Sequence, residues 1–233
     1  MVSNKNSNSI SADVLRNVHE QMISIPRGEI ILRNHRKNEV RSTEVQPHCI
    51  ASYPVTQALF EAITGTNPSI FKGENRPVES VSWFEAVAFC NRLSEAALLQ
   101  PCYVLRADGA ELNSNANGFR LPSEAEWEHA CRAGSRAATY GDLAEIAWYE
   151  ENSQASTHEV GQKKPNAWGL YDMLGNVWEW CTDLYDPEIY GSYRVFRGGG
   201  WADPPRGCLA SNRRKSHPTY KIDDLGFRLA RST

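Results

Sequence analysis

Cysteine, histidine and acidic side chains are the groups here whose spacing speaks to chemistry. The six cysteines, Cys49, Cys90, Cys102, Cys131, Cys181 and Cys208, include no Cys-x-x-Cys pair, so zinc-finger and dithiol arrangements are absent. Cys208 stands alone in a Gly- and Arg-rich C-terminal stretch, five residues after Asp203. A lone thiol is a nucleophile when ionised and otherwise a small buried hydrophobe. His217, before Pro218, is either a weak acid–base group or an exposed loop histidine. Gly198-Gly199-Gly200 gives backbone freedom and close approach; no strand-to-helix context makes it a phosphate loop. Arg213-Arg214-Lys215 is a short basic cluster on a chain of net charge -3. That balance argues against nucleic acid, whose readers carry a longer basic stripe.

These groups must be positioned by elements that the pattern partly reveals. At 233 residues the chain fits one large domain or two small ones and can bury a core without disulfides. From Ser82, the residues Ala86, Val87, Cys90, Leu93 and Ala97 recur at helical spacing, with Glu85 closing a Ser-x-x-Glu start signal. A second helix starts at Ser123-Glu124-Ala125-Glu126 and ends by Gly134; a third runs over 57–63 to Gly65. Residues 1–9 hold too few apolar groups to order, and 11–21 form a short amphipathic helix with Val14, Leu15 and Val18 on one side. Met22–Ile25 and Ile30–Leu32 flank Pro26-Arg27-Gly28 and read as a hairpin; 47–53 reads as a strand. The rest is turn-rich, with seven Trp and nine Tyr to bury area without regular layers. The expectation is a flexible arm or short helix over 1–21 and a single α+β domain over 22–233. No signal-peptide core or membrane span is visible, so a cytoplasmic location with reduced cysteines is expected.

Six blocks in order carry a resemblance over about residues 22–231. They are Tyr53-Pro54-Val55-Thr56, Gly65-Thr66-Asn67-Pro68-Ser69, the 77–83 segment Pro-Val-Glu-Ser-Val-Ser-Trp, Arg120-Leu121-Pro122-Ser123-Glu124-Ala125-Glu126-Trp127-Glu128, the 169–180 segment ending Gly175-Asn176-Val177-Trp178-Glu179-Trp180, and the Arg197 to Ala230 segment. Together they resemble the formylglycine-generating enzyme, or sulfatase-modifying-factor, family. The resemblance implies an α+β variant of the C-type-lectin fold with little regular secondary structure. The fold also carries iron-dependent enzymes, siderophore-maturation proteins and the variable proteins of diversity-generating retroelements, so fold does not settle function.

The resemblance implies a calcium site at Asp172 and Glu179, with backbone carbonyls from Gly175 and Val177, since calcium takes hard oxygen ligands. It also marks a departure. The family's copper enzymes clamp a soft ion between two thiolates, and those positions here read Asp203 and Cys208. The family's serine in the oxygen site aligns with Gly200. Both changes argue against copper. The His-x-x-x-His-x-Glu motif of the iron relatives is missing among His19, His35, His48, His129, His158 and His217. Family counterparts of Trp178, and of the loop bearing Trp201, Asp203, Asn212 and Arg214, line the substrate groove; aromatics beside a guanidinium suit a peptide. For Trp178 and Trp201 a core role stands equally open.

The expected function is a non-oxidising module that binds a protein, a peptide or a small molecule, with no nucleic acid and no membrane. One version is the variable protein of a diversity-generating retroelement. The alternative is an enzyme of different chemistry, such as a tailoring oxidoreductase using Cys208, Asp203 and His217. A formylglycine-generating oxidase ranks last.

Overall fold

The computed structural model describes residues 10–34, 39–106 and 109–233. The expected disorder of 1–9 lies outside them. Helix α1, Ala12–Glu20, is capped by the Ser11 hydroxyl, which accepts from the Val14 amide at 3.3 Å. Its Val18 is buried and Leu15 packs beside it, so α1 docks on the main core. Helix α2, Gln57–Thr64, ends at Gly65 with φ of 78°, a left-handed stop that glycine takes without strain. Helices α3, Trp83–Ala96, and α4, Glu124–Arg132, both open with complete capping boxes, Ser82 with Glu85 and Ser123 with Glu126. These two helices stand where periodicity places them.

The first strands do not pair as the sequence suggests. Strand β1, Met22–Ile25, pairs antiparallel with β4, His48–Ala51, while β2, Gly28–Asn34, pairs with β3, Glu39–Val45. The expected hairpin across Pro26-Arg27-Gly28 is therefore absent. Those residues form an extended link between two sheets, and Gly28 lies so close to α4 that a Cβ there would sit 2.2 Å from the His129 ring. Strands β5, Tyr103–Arg106, and β6, Gly109–Leu112, form a second ladder.

Two four-stranded sheets hold the frame. One runs β1-β4-β12-β7, where β7 is Phe119–Arg120 and β12 is Ala230–Ser232, and so ties the last residues to the first third of the chain. The other runs β10-β9-β8-β11, made of β8 Trp178–Leu184, β9 Arg194–Arg197, β10 Arg213–Ser216 and β11 Leu225–Gly226. Helix makes up 24% and strand 24% of the described residues, so about half of them are irregular, as the resemblance implies.

Large aromatics replace regular layers. Trp83, Trp127, Trp178 and Trp180 are fully buried, each removing roughly 200 Å² from water. Every one of these indoles also donates: Trp83 to the Cys181 carbonyl at 2.9 Å, Trp127 to Glu179 at 2.7 Å, Trp178 to Asp203 at 2.6 Å and Trp180 to the Val81 carbonyl at 2.9 Å. The bonds remove the cost of burying the polar edge, so the hydrophobic gain survives. No helix among the described residues is long and apolar enough to cross a membrane.

Candidate functional site

Strand β9 leads into Gly198-Gly199-Gly200, and the chain then reverses and returns as β10, antiparallel to β9. A single 3₁₀ turn, Pro205–Gly207, makes the reversal. Asn212 braces that turn by donating to the Gly207 carbonyl at 2.8 Å. Glycines permit the close approach: a Cβ on Gly199 would sit 2.6 Å from the Cys208 Sγ, and one on Gly207 would sit 2.6 Å from the Asp203 Cβ.

Asp203 is the hub of this loop and is 4% exposed. Its Oδ2 accepts from the Trp178 indole at 2.6 Å and the Gly200 amide at 2.9 Å. Its Oδ1 accepts from Arg214 Nη2 at 2.7 Å. The Arg214 guanidinium lies 4.7 Å from the Trp178 ring centroid and stays half-exposed. Of the open roles for Trp178, burial assigns its ring to the core, with Arg214 rather than solvent on the site side. Trp201 is half-buried; its indole donates to the Asp223 carbonyl at 3.1 Å and its ring meets Phe71 edge-on at 5.3 Å. Arg214 and Trp201 are thus the presented groups, and Trp178, Asp203 and Asn212 hold the loop that presents them.

Cys208 is fully buried, and burial, aided by nearby Asp203, pushes its thiol up to about 12. A neutral thiol is neither a nucleophile nor a good soft-metal ligand. Asp203 already takes three donors on its two hard oxygens, one of them the Arg214 cation. As arranged, the pair does not fit a copper clamp. His217 is exposed, with Nδ1 2.8 Å from the Thr219 hydroxyl and its ring against Tyr193 at 6.0 Å. No hydrogen bond or ring contact joins it to Asp203 or Cys208, so the three do not form a catalytic set.

The implied calcium residues do not fit a hard cation either. Glu179 is fully buried and takes Arg228 across both oxygens, Nε to Oε2 at 2.6 Å and Nη2 to Oε1 at 2.7 Å, with the Trp127 indole also on Oε2. A guanidinium fills the place a cation would take. Asp172 accepts from the Gly161 amide at 2.7 Å, while its buried Oδ1 has no partner. Burial pushes Asp172 up to about 6. Gly175, at φ of 75°, is pinned by the Trp148 carbonyl, which a Cβ would approach to 2.3 Å, and Val177 is buried. No group of three or more His, Cys, Asp or Glu among the described residues is placed to hold a metal.

Asp224 is the residue that spacing misses. It is 9% exposed, and a Cβ on Gly200 would lie 2.9 Å from its Oδ2. Asp203 and Asp224 therefore flank Gly200, one on its amide and one where its side chain would be. Burial first, then Asp203 and Asp223, pushes Asp224 up to about 7, with Arg214 opposing. Only the glycine at 200 signals this, because it leaves room for a neighbour that lies 24 residues on.

Comparison with known proteins adds the frame. The profile of the sulfatase-modifying factor enzyme 1-like domain matches residues 10–233. The chaperone protein LppX of Paenibacillus barcinonensis is 34% identical over 222 aligned positions, covering 78% of this chain and 79% of its own. The formylglycine-generating enzyme of Mus musculus is 29% identical over 76% of this chain, which spans 50% of that enzyme's length. Among solved structures, Treponema denticola variable protein 1 superposes with a TM-score of 0.82 at 36% identity, covering 91% of this chain and 95% of its own.

Proposed function

The chain belongs to the sulfatase-modifying factor enzyme 1-like family, and from that membership we propose that it is a non-oxidising binding module. It grips a protein or peptide with the surface around Trp201 and Arg214. The observation that carries this reading is the Asp203 hub. One carboxylate ties together the Trp178 indole, the Gly200 amide and Arg214, so the guanidinium is presented in a fixed pose. Pre-organisation of this kind lowers the ordering cost of binding, and an aromatic beside an arginine is a frequent energetic centre of interfaces. The likeness to a variable protein, and to a protein named as a chaperone, supports binding over turnover. A version of the reading is the variable protein of a diversity-generating retroelement; a neighbouring reverse transcriptase gene with a template repeat is its test.

Selection of displayed random peptides on the purified protein, followed by the Arg214→Glu variant, tests the surface. Binding should fall at least about tenfold in a variant that still unfolds cooperatively, at a somewhat lower temperature because Asp203 loses a partner. Unchanged affinity removes Arg214 from the interface. A Cu(I) titration with oxygen uptake in the presence of a Cys-x-Pro-x-Arg peptide tests the non-oxidising part. Tight copper binding with peptide-dependent uptake would overturn it.

One observation favours a second reading, an enzyme of different chemistry. Asp224 sits beside Asp203 with a carboxyl that titrates near neutrality, as a general acid–base group must. Loss of a measured turnover in Asp224→Asn, with peptide binding kept, would select it.

A further inference from the structure

On the opposite face of β10 from Arg214 lies a cavity of about 170 Å³ between the β2–β3 ladder, α4 and the β9–β10 pair. Arg33, Arg41, Arg197 and Arg213 border it, with Glu124 and Glu128. The two carboxylates are spent internally. Glu124 takes Arg213 as a fork, Nε to Oε1 and Nη2 to Oε2, both at 2.7 Å. Glu128 takes Arg132 Nε on Oε1 at 2.8 Å and Arg197 on Oε2. Three guanidiniums thus already face two carboxylates. Arg33 and Arg41 are exposed and pair with no carboxylate whose side chain the structure describes. Arg197 is fully buried, yet its Nε–H has no hydrogen-bond acceptor; the nearest carboxylate oxygen, on Glu124, is 3.6 Å away.

Four guanidiniums line one half-open cavity with two carboxylates, so the local charge is positive and favours an anion there. We propose that this cavity binds a phosphate-class oxyanion, a free phosphate or the head of a phosphomonoester, between Arg33 and Arg41 on the hairpin and the Arg197 and Arg213 wall. Arginine forks match tetrahedral oxyanions, and the Ser211 hydroxyl borders the cavity as a further donor. The volume admits such a head but falls below the range of roughly 300 Å³ upward that whole small-molecule ligands occupy. Dianionic charge answers more of the arginine excess than a monocarboxylate does. The site also ties the β2–β3 ladder to α4, so its occupancy stiffens that packing. None of this depends on the Asp203 surface.

The test is the thermal midpoint of the full chain in inorganic phosphate, with sodium chloride matching ionic strength and acetate as the monoanion comparator. Phosphate at tenfold excess over its Kd should raise the midpoint by about 3 °C or more above the chloride series. The Arg33→Ala/Arg41→Ala double variant, altered only at exposed positions, should bind phosphate at least about tenfold more weakly by calorimetry, with its own midpoint in chloride equal to the parent's or higher. Arg136→Ala, an exposed arginine outside the cavity, should bind as the parent does. No phosphate response beyond chloride, an equal response to acetate, or undiminished affinity in the double variant would each overturn the proposal.

Discussion

Replacing Glu179 by Gln tests a fully buried ion pair. The side chains of Glu179 and Arg228 are 1% and 0% exposed. Three short bonds end on the carboxylate, two from Arg228 and one from Trp127. Gln keeps the volume but turns one acceptor into a donor aimed at a guanidinium, and it leaves the Arg228 charge unanswered. Breaking one side of such a pair costs about 3–5 kcal/mol. For a chain of this length each kcal/mol moves the thermal midpoint by about 2–4 °C, so a fall of roughly 6–20 °C is expected. Arg228→Met alone should cost as much or more, because Arg228 also donates to the carbonyls of Ala51 and Tyr171 at 3.0 Å and of Asp172 at 3.2 Å. The Glu179→Met/Arg228→Met double variant should fall short of the sum of its singles by at least about 2 kcal/mol, since no charge is then left alone. Urea unfolding followed by tryptophan fluorescence measures the parent, Glu179→Gln, Glu179→Met, Arg228→Met and the double variant, each with EDTA and with excess calcium. A cost below about 1 kcal/mol for Glu179→Gln, or strict additivity, refutes the ion pair as a structural keystone. A calcium-dependent rise in the parent that disappears in Glu179→Gln would instead make this carboxylate a cation ligand.

Asp224→Asn should change how stability depends on pH. The folded value of about 7 stands above the ordinary carboxylate value of 3.8, so the parent's contribution is complete below about pH 4 and is lost between pH 4 and 7. The variant should gain on the parent between pH 5 and pH 8, by about 3 kcal/mol at most; Asp172 and Asp183, both raised to about 6, titrate in both proteins and cancel. A flat difference across that range removes the strain on Asp224. Cys208 should resist iodoacetamide in the native protein at pH 8 while half-buried Cys49 reacts first, as peptide mass spectrometry will read; equal labelling would contradict the buried thiol. Gly200→Ser puts a Cβ 2.8 Å from that of Asp224 and should cost about 1–3 kcal/mol in urea unfolding; a neutral effect would mean that the loop yields.

What the sequence revealed and what it hid divide along contact range. Helices α3 and α4 are legible because cap, first turn and apolar face lie within one short window, as Ser123, Glu126 and Gly134 do. The 22–32 segment is misread because its local signal, a Pro-Arg-Gly turn between two apolar runs, is satisfied equally by a hairpin and by a link between sheets. The decision comes from His48–Ala51 and from the His129 ring against Gly28, neither visible in the window. The same applies to the acids. Asp172 and Glu179 share a motif, and spacing invites a common ligand, but Arg228 arrives 49 residues later to claim Glu179. Asp203 and Arg214 lie 11 residues apart and were both candidates, yet their bond through the Trp178 edge depends on a reversal that only the turn at 205–207 creates.

Asp203 stands where the resemblance places a thiolate, and the proposal of a non-oxidising module turns on what the carboxylate does there. A thiolate pair needs two soft ligands free to converge on an ion. A carboxylate at 203 is harder, carries two oxygens and finds three fixed donors within reach, so its lowest state is a closed hydrogen-bonded hub. Once that hub forms, Cys208 loses the partner that would favour its ionised form and gains a neighbouring negative charge that opposes it. Gly200 then needs no hydroxyl, and the vacated volume goes to Asp224. Gly200, Asp203 and Cys208 thus meet in one cluster, from which Asp203 holds Arg214 at the surface. Restoring cysteine at 203 alone would strand the Trp178 indole and the Gly200 amide without acceptors before it restored any metal ligand, at a cost of about 1–3 kcal/mol for each buried donor. Asp203→Cys should accordingly lower stability and peptide binding together. A stable variant that binds copper would show instead that the loop still holds the older geometry.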